Sequence, residues 1–201
     1  MPILFGIFIV FCLWFAYESS KQSRAAQKRY QDMLKREYEA NMVRKKDISD
    51  LPKISIPKNL PMNTTNDAYL NAIYKEIHKL EDKDIINFTG YTNTDLKLMY
   101  GASNICYLSE CDNNFTKLAI TLNKWANYLY NHDQVHDAKT ILEYAVSINI
   151  DISNIYILLA NIYITENKAH KINSLIKKAS KLNSSIKTSI VDKLTDLKTE
   201  H

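Results

Sequence analysis

Between about Leu118 and Ser184 one pattern of residues is written twice, at a fixed offset of 34. Ala126 is answered by Ala160, Leu129 by Tyr163, Leu142 by Ile176 and Ala145 by Ala179. A repeat of this length is one supersecondary unit, which cannot bury its apolar face alone and does so by stacking on the next unit. The rest of the chain is short of the residues that other architectures need. Three glycines and four prolines in 201 residues are too few for a β protein with many tight turns or for a fold built on Gly-rich phosphate loops. With 46% hydrophobic and 24% charged residues, a packed helical core is the expected outcome.

The spacing predicts helices over about 113–131, 135–149, 153–166, 168–182 and 185–199, with Asp133, Asp151 or Ser153, and Ser184 or Ser185 where N-caps are wanted. Leu122, Trp125, Ala126 and Leu129 occupy the first helix of the first unit, and Ala138, Leu142 and Ala145 its second. The second unit repeats this with Tyr156, Leu159, Ala160 and Tyr163, then Ile172, Ile176 and Ala179. This arrangement resembles tetratricopeptide repeats over 119–152 and 153–186. It departs at Ile172, where a small residue is usual, and at Ile150 and Ser184, where a closing Pro is usual. The resemblance implies an all-α, TPR-like solenoid of helical hairpins with a capping helix over 186–199, whose Ile186, Ile190, Leu194 and Leu197 point inward. It also implies a concave peptide-binding groove lined by Asn123, Asn127, Tyr130, Asn161 and Ile164. Asn127 and Asn161 are again 34 apart.

Upstream, the chain reads as an attachment. Pro2 to Tyr17 carries no charge and is rich in Ile, Leu, Phe and Val. As a helix it spans about 24 Å, short of a ~30 Å hydrocarbon core unless Trp14 and Tyr17 sit in the interface and Lys21 snorkels. A cleaved signal peptide would want Lys or Arg ahead of the apolar run, and none is present. Residues 1–18 are therefore expected to be a single-pass transmembrane anchor. Glu18 to Lys46 holds nine Lys/Arg against four Asp/Glu, while the remainder of the chain is close to neutral. Basic residues following the apolar run place the N-terminus outside and the body in the cytoplasm, in the cell membrane. Residues 19–46 read as a basic juxtamembrane helical stalk, with Tyr30, Met33, Leu34, Tyr38 and Met42 in a thin stripe. Nucleic-acid binding is disfavoured by this position beside lipid.

Pro52, Pro57 and Pro61 exclude a helix from 47–65, which reads as a semi-rigid linker able to lie along the body. The helical body is expected over 66–201. Its first helix, capped near Asn66 or Asp67, carries Tyr69, Leu70, Ile73, Ile77 and Leu80 at helical spacing. Residues 85–112 are ambiguous, apart from a short helix from Asn93 or Thr94 closed by Gly101 and another turn of helix or a loop over 104–111.

Chemistry is sparse. His132 and His136 mimic a zinc-protease spacing, but the repeat register puts them in a turn between helices rather than on one helical face. Cys12, Cys106 and Cys111 form neither a disulfide framework nor a zinc module; a Cys106–Cys111 bridge requires an extracellular body. The sequons at Asn63, Asn87, Asn114 and Asn183 are chance matches in a cytoplasmic reading. No catalytic grouping is found, and no cofactor, metal or small-molecule substrate is expected. The sequence points to a membrane-anchored adaptor for an unknown protein partner. Its alternatives are a structural subunit of a membrane complex and an exported binding protein.

Overall fold

The computed structural model describes residues 2–62 and 65–199; the Asn63 sequon and His201 lie outside them, as do the side chains of Pro2, Leu4 and Phe5. All regular structure among the described residues is helical: α1 (Pro2–Met42), α2 (Ala68–Glu81), α3 (Asn93–Tyr100), α4 (Ile105–Asn131), α5 (Val135–Ser147), α6 (Ser153–Thr165), α7 (Ile172–Ala179) and α8 (Lys187–Thr199). The chain divides into two compact units, one of residues 1–46 with 93–105 and one of residues 47–92 with 106–201.

In the first unit α1 is a single helix of 41 residues, about 60 Å long at ~1.5 Å per residue. It is unbroken because nothing after Gly6 interrupts it. Its large apolar residues from Ile7 to Tyr17 are exposed, and so is the stripe from Tyr30 to Met42. No helix among the described residues is long and apolar enough to cross a membrane. The other end of α1 is clamped by α3 and the turn after it. Glu37 accepts from Thr94 at 2.6 Å and pairs with Lys97, Arg36 pairs with Asp95, and Ala40 is fully buried. The chain leaving α1 is then stitched to the segment 100–104. Ala102 N–H donates to Val43 O at 3.3 Å and Lys46 N–H to Tyr100 O at 3.0 Å. The buried Asn104 amide donates to Lys46 O at 2.9 Å and to Tyr100 O at 2.8 Å. These bonds use carbonyls and amides that a helix end otherwise leaves to water.

In the second unit, α2 begins where a cap is expected. The Asp67 carboxylate accepts from Tyr69 N–H at 2.7 Å and Leu70 N–H at 3.1 Å, and Leu70, Ile73, Ile77 and Leu80 are buried. Of the fourteen side chains that the repeat pattern brings forward, all are buried except Ile176, which is half-buried. Ala126, Ala145, Ala160 and Ala179 are completely enclosed, as required where helices approach closely enough that a larger side chain would have to displace its neighbour. Helix α6 packs on α5, α7 and α8, and α7 also packs on α8. The final helix covers the end of the stack with Ile190 and Leu194; Asp192, Lys193 and Asp196 face solvent. Ile186 is a correction: it precedes α8 and is exposed, because the helix starts one residue later than the apolar spacing suggests.

Two further features depart from the sequence reading. First, α4 runs back to Ile105, well before 113. Asp112, Asn113 and Asn114 resemble a cap in sequence, but Asp112 accepts from Phe88 N–H at 3.3 Å and buried Asn114 donates to Asp84 O at 3.1 Å. Their polarity serves the backbone of an adjacent segment. Second, Asp133 is not an N-cap. It adopts φ +58° at the end of α4, as Asn149 and Asn167 do after α5 and α6. Each ends its helix in the same way, with paired bonds such as Lys168 N–H to Tyr163 O at 2.7 Å and Asn167 N–H to Ile164 O at 2.9 Å. Asp and Asn tolerate this left-handed backbone better than other non-glycine residues. The proline segment lies along the body, as such a linker can. Ile54 N–H donates to Ile85 O at 2.8 Å, Leu60 is buried, and Ile54, Ile56 and Met62 pack against the core.

Candidate functional site

Asn123 and Asn127 lie one turn apart on α4, and both are half-buried. The Asn127 amide donates to Asn123 O at 2.6 Å and to Asn123 Oδ1 at 3.1 Å. From the first turn of α6, the Asn154 amide donates to Asn123 Oδ1 and Asn127 Oδ1, each at 3.0 Å. Asn154 thus joins the pair across the two helices. Sequence reasoning missed it; the available signal is its seven-residue spacing from Asn161, which returns to the same face of a helix after two turns. Asn161 is half-buried and its backbone O accepts from Thr165 Oγ1 at 3.0 Å. Tyr130 and Ile164 are partly buried and pack against the core. The structure therefore gathers Asn123, Asn127 and Asn154 into a bonded cluster, with Asn161 two turns farther along α6. The two Asn carbonyls that a peptide N–H would seek already accept from Asn154. The Asn123 amide, the Asn154 carbonyl and the Asn161 side chain retain unused hydrogen-bonding capacity.

Beyond α5 and α6 a charged group appears that periodicity does not signal. Glu166 accepts from Lys139 at 2.6 Å and from Lys168 at 2.8 Å. Their bonds hold its carboxyl at about 2, far below its ordinary 4.5, with Lys139 the larger influence. Nearby in sequence, Tyr163 donates to Glu143 at 2.8 Å, and the Lys171 ammonium lies 5.1 Å from the Tyr163 ring centre. A depressed carboxyl favours the folded state above its unfolded value, and that favour disappears as pH falls from about 4.5 towards 2. The melting-temperature gap between wild type and Glu166→Gln is accordingly expected to be widest near pH 7 and to close below pH 4. A gap unchanged down to pH 2 would contradict the ion-pair account.

His132 follows α4, where its Nδ1 lies 2.8 Å from Tyr128 O and its ring stacks on Tyr128 at 3.9 Å. His136 is in the first turn of α5. The two are thus on separate elements, in the turn where the register places them. Tyr128 stacks on Tyr69 at 4.8 Å and donates to Asp67, tying this turn to the start of α2. No group of three metal-ligating side chains occurs among the described residues. Burial raises the Cys111 thiol above its ordinary value and makes it a poor nucleophile.

Comparison with known proteins yields no family model, no curated protein and no solved structure that matches this chain.

Proposed function

We propose that this protein is a single-pass, membrane-anchored adaptor that displays a TPR-like helical body to a protein partner in the cytoplasm. The observation that carries this reading is the exposed apolar head of α1. Phe8, Val10, Phe11, Leu13, Trp14 and Phe15 are all more than half exposed, on a helix that continues into a basic stalk. An apolar surface of this extent is unfavourable in water, at ~25 cal/mol per Å². Burial in lipid removes that cost. Lys21, Arg24, Lys28 and Arg29 then belong on the cytoplasmic side, by the bias of positive charge in cytoplasmic flanks. The TPR-like part of the reading rests on the paired buried alanines and on the left-handed turns at Asp133 and Asn167, which share the 34-residue offset.

The partner surface is the α4–α6 face that carries Asn123, Asn154 and Asn161, through their remaining donors and acceptors. An adaptor is favoured over a subunit wholly enclosed in a complex. In the second unit the exposed large apolar side chains among the described residues are Tyr69, Tyr91, Ile120 and Ile186, two on separate helices and two in separate turns.

Membrane fractionation tests the proposal. The full chain is expected to stay in the pellet after an alkaline wash, while a chain lacking residues 2–17 moves to the supernatant. Full-length protein in the wash would overturn the anchor. A photo-crosslinking residue at Asn161 should capture a protein that the same residue at Lys178 does not; equal capture would overturn the assigned face.

A further inference from the structure

A cleft in the helical body lies away from the Asn cluster, between the proline segment and three turns of the chain. We propose that it binds a neutral, hydroxyl-rich ligand, one or two sugar rings in size. Its volume is about 720 Å³, within the range of small-ligand sites. One wall is the extended segment 52–55; the others are the turns at 86–89 with Tyr91, at 147–149 and at 182–183. The sequence reading, which expects no small ligand, has no means of finding it, because the lining comes from four distant segments.

The charge inventory selects against anions. Lys53 is the sole charged side chain in the lining, and its ammonium is already paired with Asp84 at 2.8 Å. The neutral polar groups divide into two sets. Asn87 and Ser147 build the walls: the Asn87 amide donates to Ile148 O and Asn149 O, each at 3.3 Å, and Ser147 Oγ donates to Tyr144 O at 2.7 Å. Asn183 donates to Thr89 O at 3.2 Å, which leaves its carbonyl unused. The Thr89 hydroxyl, the Tyr91 phenol and the Asn149 amide have no protein partner among the described residues, so donors and acceptors are both on offer. Sugar hydroxyls also donate and accept at one atom, which matches such a mixed lining. The Tyr91 ring, 47% exposed, supplies an apolar face for the C–H side of a sugar ring.

The walls are also held in place. Gly90 has φ +87°, and a Cβ there would stand 2.2 Å from Asn183 O, so the 86–91 turn is seated directly against the 182–183 turn. A preformed site avoids the ordering cost that a mobile one incurs on binding.

The test is saturation-transfer NMR on the full chain, in a detergent without a sugar headgroup. The probes are maltose, N,N′-diacetylchitobiose, glucose 6-phosphate and a neutral capped tetrapeptide. Transfer to the ring protons of at least one disaccharide is expected, and it should be lost in Tyr91→Ala and in Asn149→Gly. The glycine variant removes the amide but retains the left-handed turn, and an unchanged thermal melt confirms that both variants fold. Silence of both disaccharides, or transfer that survives in both variants, would overturn the site. Preferential binding of glucose 6-phosphate would overturn its neutral character, and preferential binding of the peptide would overturn the ligand class. These results are separate from membrane fractionation and crosslinking, so either proposal can fail alone.

Discussion

Replacing Gly101 by alanine is expected to open the clamp at the end of α1 and to expose Arg44, Lys45 and Lys46 to trypsin. Gly101 has φ +94°, and a Cβ built on it would lie 2.3 Å from Arg44 O, a backbone atom that no rotamer change can move aside. The backbone conformation alone costs a non-glycine residue about 1–3 kcal/mol. Relief of the clash must also stretch the bonds from Ala102 N–H to Val43 O and from Lys46 N–H to Tyr100 O. A local loss of about 3 kcal/mol corresponds to roughly a hundredfold rise in the open population. Where opening and closing are fast, cleavage follows that population. Trypsin should therefore cut Gly101→Ala at residues 44–46 about a hundred times faster than wild type. Equal cleavage rates would contradict the clamp. Asn104→Ala should give a smaller increase, because it deletes two amide donations without introducing a clash.

Trp125→Ala is expected to be the most damaging substitution in the repeat region. Trp125 is fully buried on α4, with the Tyr74 ring edge-on at 5.4 Å. Truncation of such a side chain leaves a cavity and costs about 3–5 kcal/mol. In a chain of this size that lowers the melting temperature by roughly 10 °C or more. Trp125→Phe separates packing from polarity. The indole Nε1–H is buried without a hydrogen-bond partner among the described residues, and an unsatisfied donor of this kind costs about 1–3 kcal/mol. Phenylalanine loses some volume but also removes that donor, so its net cost should fall to roughly 1 kcal/mol. Thermal unfolding followed by circular dichroism should rank wild type close to Trp125→Phe and far above Trp125→Ala. A phenylalanine variant as unstable as the alanine one would show that the N–H has a partner.

The two substitutions also divide what was legible in the sequence from what was not. Trp125 sits three residues after Leu122 and four before Leu129, so a helix that buries it can be inferred from the sequence. Gly101 can be read as a helix stop, which it is: its N–H donates to Lys97 O at 2.8 Å. That Arg44 O packs against its bare Cα cannot be read, because the two are brought together only by folding. The Asn residues show the same division. Asn127 and Asn161 stand out by their offset, whereas Asn154, which bonds Asn123 and Asn127, has no counterpart in the repeat: Ile120 occupies the position 34 residues before it.

By itself the sequence determined the helical class, most helix positions and the buried repeat residues. Those properties follow from apolar spacing along one helix and need no distant partner. Only the tertiary structure decided which polar residues act locally and which act at a distance. Asp67 caps its own helix, but Asp112 and Asn114 bond the backbone of another segment, and Asp133, Asn149 and Asn167 end helices in left-handed turns. Short polar side chains can play any of these parts with the same atoms. The choice falls to whichever backbone group folding brings within reach and removes from water.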